Sequence, residues 1–501
     1  LPCLIAAPCS GSGKTLLTLS LAALARQRGL RLQPFKVGPD YLDPQLLSQV
    51  SGLPCRNLDP ILCGEAWVRR CFHWHGSRAD LALVEGVMGL FDGRGPGSEG
   101  SSAAVAALLD LPVVLVVEAS RQAGSLAALV RGFRDHGPPP VRLAGVVLNR
   151  VNSARHRQLL AEALEAIAVP LLGVLPSDPA LDWPERHLGL LPPQEQADLP
   201  ERQQAWAALA ERHLDLEQLW PLLAPAAPAS GPGHGDPIDW LLGSHSPSRS
   251  GHHRMGSGTG MASGSGMLSG PLPVAVAQDA AFHFRYPEAD ELLRGCGLDP
   301  RPWSPLADEP LPPGTRAVLL PGGYPELHAA PLAAAGRSLA ALRQAARTGL
   351  PIAAECGGLL LLGETLGDPE GRTHPMAGVL PFSARRGALS LGYREALAGS
   401  DGLLVRRGES FRGHEFHRWQ LQTVTDGGGL WQLEGWGSPR RSEGWTTPTL
   451  HASWLHLHWA GCPRIPSRLA AAAASAAVAP ARSLPSHRVL PDGGDRQSAG
   501  A

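Results

Sequence analysis

An apolar run, Leu4-Ile5-Ala6-Ala7, breaks into the small-residue loop Ser10-Gly11-Ser12-Gly13-Lys14-Thr15, and leucines at helical spacing follow up to residue 28. A strand that passes through glycines into a helix commits the chain to a parallel sheet, since parallel neighbours are reached through a crossover. The alternation continues. Strands are predicted at 32–37, 81–85, 112–117, 144–148 and 171–175, and helices at 103–109, 125–134 and 154–168. These strands are apolar without interruption, so helices are expected on both faces of the sheet.

At 501 residues the chain is too long for one ordinary domain. The first α/β unit is read over 1–222, with 177–222 as a peripheral helical extension. Composition then shifts to Pro, Ala, Ser and Gly, so 223–271 is read as a flexible linker, its His252-His253 pair included. A second α/β unit is expected over 272–462. It has strands at 273–277, 317–320 and 351–354, a helix at 332–348, and short antiparallel strands after 376. Residues 463–501 read as a frayed tail.

Net charge is −1, so the chain carries no field that would attract nucleic acid or an anionic membrane. No apolar run reaches the ~20 residues of a membrane span. No basic segment followed by an apolar stretch opens the chain, so a cytoplasmic location is expected. Eight cysteines in this length are not a disulfide framework, and Cys55, Cys63 and Cys71 lack the CxxC spacing of a zinc site.

The loop Ser10, Gly11, Ser12, Gly13, Lys14 and Thr15 stands where a phosphate-binding loop requires it, between a strand and a helix. Its backbone N–H groups and the helix N-terminus face phosphate oxygens, Lys14 neutralises them, and the Thr15 hydroxyl suits Mg²⁺. Pro8 stands where the general pattern has its first glycine. Two acidic segments, Asp40-Tyr41-Leu42-Asp43 and the stretch from Glu85 to Asp92, follow later strands, and ligands of open parallel sheets bind beyond those strand ends. Thr15, Glu85 and one of Asp40 or Asp43 are the candidate Mg²⁺ ligands.

A second centre is expected at Ala354-Glu355-Cys356-Gly357-Gly358, where a short apolar strand meets a helical run. This is the setting of a nucleophile elbow, and a helix N-terminus favours the thiolate. Gly357 and Gly323 are the candidate oxyanion donors. The base is sought among 19 histidines. His456 is preferred over its neighbour His458, which shares its face on a strand, and His414 and His417 are competitors.

Together these residues resemble the cobyrinate a,c-diamide synthases. The resemblance is carried by residues 7–15, Phe35 to Asp43, Asn57-Leu58-Asp59, Glu85 to Gly93 and Leu148-Asn149-Arg150, then by residues 321–326, Cys356 and the closing His456-x-His458. It implies an N-terminal domain like dethiobiotin synthetase and a C-terminal class I glutamine amidotransferase domain, which is flavodoxin-like. It also implies Mg-ATP, L-glutamine and cobyrinate or a related corrin as ligands, with Asp40, Tyr41, Leu42, Asp43, Glu85 and Asp92 at the substrate. A homodimer is one expected assembly. Such triads place Glu two residues after the base, where this chain has His458. Sibling readings amidate hydrogenobyrinate, nickel sirohydrochlorin or adenosyl-cobyrinate diamide. A different class is a P-loop switch ATPase with an inert amidotransferase-like module.

Overall fold

The computed structural model describes residues 1–178, 181, 185–186, 189–190, 198–228, 235–245, 270–423 and 429–476. Seven parallel strands form the first sheet: β1 (Leu4–Ala6), β2 (Leu32–Val37), β3 (Arg56–Leu58), β4 (Leu81–Glu85), β5 (Val113–Glu118), β6 (Leu143–Asn149) and β7 (Leu171–Val174). Their order is β3-β2-β4-β1-β5-β6-β7. The ends of β2, β4 and β1 are therefore adjacent although the segments that follow them are far apart in sequence. A minor antiparallel pair, β8 (Glu185–Arg186) and β9 (Gly189–Leu190), lies beyond the sheet strands in sequence.

The second sheet runs β11-β10-β12-β13-β21-β20, from β10 (Leu272–Ala277), β11 (Leu298–Trp303), β12 (Ala317–Leu320), β13 (Ile352–Glu355), β20 (Trp445–Thr447) and β21 (Leu450–Ser453). Only β20 is antiparallel to its neighbour. The expected antiparallel addition is a third sheet containing β14 (Thr365–Gly367), β15 (Thr373–Pro375), β16 (Phe382–Ala398), β17 (Ser410–Thr423), β18 (Trp431–Gly435) and β19 (Ser438–Glu443). No helix among the described residues is long and apolar enough to cross a membrane.

Four expectations need correction. The extension is not peripheral, because Trp206 and Ala210 of the helix Leu199–His213 pack into the core with Leu17, Leu21 and Leu24. Burying a large apolar side chain is worth roughly 1.5–3 kcal/mol, and this helix buries Trp206 and Leu209 together with Ala207 and Ala210. Within the expected linker, Pro237–His245 is a helix. Asp236 accepts from the Ile238 N–H at 2.7 Å, Ile238 and Leu241 are buried, and Arg70 covers the Trp240 ring at 4.6 Å. This apolar island braces the helix Glu65–Gly76 of the first unit and Pro287–Gly295 of the second. The rest of the linker, including His252 and His253, lies mostly outside the described residues.

The expected tail begins with the helix Arg464–Ser475, which buries Ile465, Leu469 and Ala473 on one stripe. Arg316 closes its end by donating to the carbonyls of Ala473 and Ala474, both at 3.0 Å. Finally, the helix expected at 332–348 is two, Ala329–Ala334 and Gly336–Arg347, broken at Ala335.

Polar contacts join the two units. Arg56 donates to Glu291 at 2.6 Å and Glu288 at 3.2 Å, Tyr393 Oη donates to Asp59 at 2.9 Å, and Gln45 donates to the His283 carbonyl at 2.9 Å. Tyr41, from the segment after β2, is enclosed by Phe284, Tyr286 and Tyr324 of the second unit.

Candidate active site

The phosphate loop is held in shape by its neighbours. Gly13 has φ 109°, and a Cβ there would stand 2.3 Å from Asn149 Nδ2, which donates to the Ser12 carbonyl at 3.0 Å. Only glycine fits that approach. Lys14 opens the helix Lys14–Gln27, and its Nζ donates to the Met88 carbonyl at 2.6 Å and the Cys9 carbonyl at 3.4 Å. Burial, then the charge of Lys36, lowers its pKa.

Thr15 Oγ1 donates to Glu85 Oε1 at 3.0 Å. The same oxygen accepts from Lys36 Nζ at 2.7 Å, and Lys36 also pairs with Asp43 and, at 3.8 Å, with Asp40. Burial alone would lower the Lys36 pKa, but the carboxylates of Asp43, Glu85 and Asp40 hold it well above the usual lysine value. Lys36 was not among the expected site residues, although Lys36-x-Gly38-x-Asp40 at a strand end is a visible signal.

Glu85 is fully buried, with Oε1 shared by Thr15 and Lys36, and it stands behind the residues that line the open cleft. Asp40, Tyr41, Leu42, Asp43 and Asp92 do line it. The cleft measures about 470 Å³ and lies between the units, with Arg94 and Met88 on one side and Leu391, Tyr393, His414, Phe416 and Trp436 on the other.

Cys356 has φ 47° and ψ −108°, a strained conformation for a side-chain-bearing residue, at the turn from β13 into the helix Gly357–Leu362. Close packing explains the glycines. A Cβ on Gly358 would stand 2.0 Å from the Leu320 carbonyl oxygen, and one on Gly357 would stand 2.9 Å from Gly323 N. The backbones of Gly323 and Gly357 thus touch beside the thiol. Cys356 Sγ donates to the Phe416 carbonyl at 3.8 Å. Burial, then the charge of Glu326, pushes the thiol pKa well up, against the thiolate that a helix N-terminus favours. Six residues of helix do not offset that desolvation.

His456 follows β21, the strand next to β13. Its ring is buried against Tyr41 (5.2 Å between centroids), and Nδ1 lies 4.0 Å from Glu355 Oε2. Neither ring nitrogen has a hydrogen-bond partner. Burial, then the charges of His414 and His417, lowers its pKa to about 3.

Two of the competitors are more occupied. His417 lines the small chamber at Cys356, but its Nδ1 meets the Trp419 carbonyl at 2.9 Å, its Nε2 faces Glu415 at 3.7 Å, and its ring stacks on Trp454 at 3.9 Å. His458 accepts from the Ala460 N–H at 3.3 Å and stacks on Tyr286, so it caps a turn. Glu355, adjacent to Cys356, is an acidic neighbour of His456 absent from the expected site residues.

Two family models match in order. Residues 3–191 match the CobQ/CobB/MinD/ParA nucleotide binding domain, and residues 273–463 match the CobB/CobQ-like glutamine amidotransferase domain. The cobyrinate a,c-diamide synthase of Gloeobacter violaceus is 44% identical, over 91% of this chain and 93% of its own. The chain belongs to the cobyrinate a,c-diamide synthase family. The Synechocystis member is 43% identical over 91% of this chain and 90% of its own. The hydrogenobyrinate a,c-diamide synthase of Streptomyces coelicolor is 42% identical over 93% and 96%. Membership makes the first unit nucleotide-binding and the second an amidotransferase domain, and the cleft lies between them.

Proposed function

We propose that the chain amidates the a and c acetate side chains of cobyrinate, using ATP and glutamine. One observation supports this above the others: a single cleft is lined by Asp40, Asp43 and Asp92 of the nucleotide-binding unit and by Tyr393, His414 and Phe416 of the amidotransferase unit. The intact Cys356 elbow argues against a switch ATPase with an inert second module.

A carboxylate oxygen of the substrate attacks the γ-phosphorus of ATP, giving an acyl phosphate and ADP. Lys14 and the loop N–H groups hold the phosphates during that transfer. In the other unit, Cys356 Sγ attacks the glutamine amide carbon while His456 takes the thiol proton and passes it to the departing ammonia. Gly323 and Gly357 N–H groups receive the oxyanion, and water then hydrolyses the thioester to glutamate. Ammonia displaces phosphate from the acyl phosphate and leaves the amide. Tyr41 and Leu42 line the substrate side of the cleft.

Thr15 and Glu85 fit a Mg²⁺ ion, since Glu85 Oε2 is buried without a partner beside the Thr15 hydroxyl. No group of three His, Cys, Asp or Glu side chains able to hold a metal occurs among the described residues, so Thr15 and Glu85 would hold the ion only together with a bound nucleotide. When bound, the ion neutralises charge on the β- and γ-phosphates. All eight cysteines are unpaired, as a cytoplasmic location would have them.

The test is a mass-spectrometric count of amides formed from cobyrinate and, in parallel, from hydrogenobyrinate. Two amides on cobyrinate are expected. A product with one amide defeats the diamide assignment, and turnover confined to the cobalt-free ring moves the chain to the sibling reading. The base is tested separately. His456→Ala should reduce glutaminase activity by about 10²–10⁴-fold. His417→Gln should retain most of it, and the opposite ranking overturns the assignment of His456.

A further inference from the structure

Eight large apolar side chains are well exposed among the described residues, and Met88 (44%), Leu391 (54%) and Trp436 (72%) line the same cleft. Scattered apolar side chains on a surface need no explanation, but three around one opening do. Trp436 stands in the turn Gly435-Trp436-Gly437 between β18 and β19, where Gly437 has φ 66°. Its indole is seated rather than loose. It rests on Gly95 of the other unit, where a Cβ would be 2.9 Å from the indole Cγ and Cδ1. A side chain at residue 95 would displace the ring from the mouth of the cleft.

The cleft is therefore polarised. Asp40, Asp43 and Asp92 lie at the nucleotide side, where Lys14 reaches the Met88 carbonyl, and the apolar edges of Met88, Leu391 and Trp436 frame the opening. A corrin, with a conjugated inner ring and peripheral acids, matches that division, with a reacting acetate directed inward and the ring face held outside. We propose that Trp436, supported by Leu391 and Met88, is the platform on which the face of the tetrapyrrole lies. This rests on the functional reading above.

The experiment measures KM for cobyrinate and for ATP in Trp436→Ala, Trp436→Phe and Leu391→Ala. Stacking of a flat ring on an aromatic side chain sets the scale, and about a tenfold rise in the cobyrinate KM of Trp436→Ala is expected. The ATP KM should move less than about twofold, and Trp436→Phe should recover most of the loss. Quenching of tryptophan fluorescence by added cobyrinate should also shrink in Trp436→Phe. An unchanged cobyrinate KM in both alanine variants overturns the platform, as does an equal rise in both KM values. Wild-type turnover of cobyrinate is the separate check: its absence defeats the functional reading, whereas its presence with unaltered variants defeats the platform alone.

Discussion

Cys356→Ala should lose glutamine-dependent amidation, by a factor on the order of 10⁴ or more, and keep amidation from ammonium salts. The reason is spatial. The thiol is the only part of the molecule asked to break a carbon–nitrogen bond, and it stands at the end of β13 in the second sheet. On the proposed reading, acid activation belongs beyond β1, β2 and β4 in the first. Removing Sγ costs a thiol–carbonyl contact to Phe416 at 3.8 Å and leaves a site that still binds ATP and substrate. Backbone strain at φ 47° is the same for alanine as for cysteine, so the variant should melt close to the parent. Amide yield from glutamine and from ammonium chloride, measured side by side, decides the matter. Equal loss from both nitrogen sources, or no loss from either, contradicts the division of labour.

Lys14→Ala is the complementary case. Amidation should fall by at least about 10²-fold with either nitrogen source, because one preorganised cation at the transferring phosphoryl group is removed. Glutamine hydrolysis should persist. The lysine is buried, and its amine donates to the Met88 and Cys9 carbonyls, so it is aimed before nucleotide arrives. Lys36 cannot take its place, being held by Asp43, Glu85 and Asp40. Amidation within a few fold of the parent would remove Lys14 from the phosphate site.

The two loops were legible because their signals are local. Residues 10–15 and 354–358 each need small residues at fixed offsets between a strand and a helix, and the folded chain places both at such junctions. The apolar strands were readable for the same reason, whereas Arg56–Leu58 was not, since Arg56 and Asn57 leave it without an apolar run. The helix Pro237–His245 was lost inside a Pro- and Ser-rich stretch. Its few apolar residues order only because helices from both units receive them.

The histidines show the limit most clearly. Alternation on a strand pairs His456 with His458, yet β21 ends at Ser453, and the two rings go to different partners. Likewise the resemblance sets Glu85 near the substrate, and only the fold shows this last residue of β4 buried with its Oε1 between Lys36 and Thr15.

From its residues alone, then, the chain determines two α/β units, a phosphate-loop pattern that ends on Lys14-Thr15, and the strand–turn–helix setting of Cys356. Their meeting at one cleft is decided by tertiary structure. Strand order makes neighbours of β2, β4 and β1, and of β12, β13 and β21, and packing between units sets Trp436 on Gly95. Such contacts join residues distant in sequence through buried area and backbone clearance, and no local spacing encodes either.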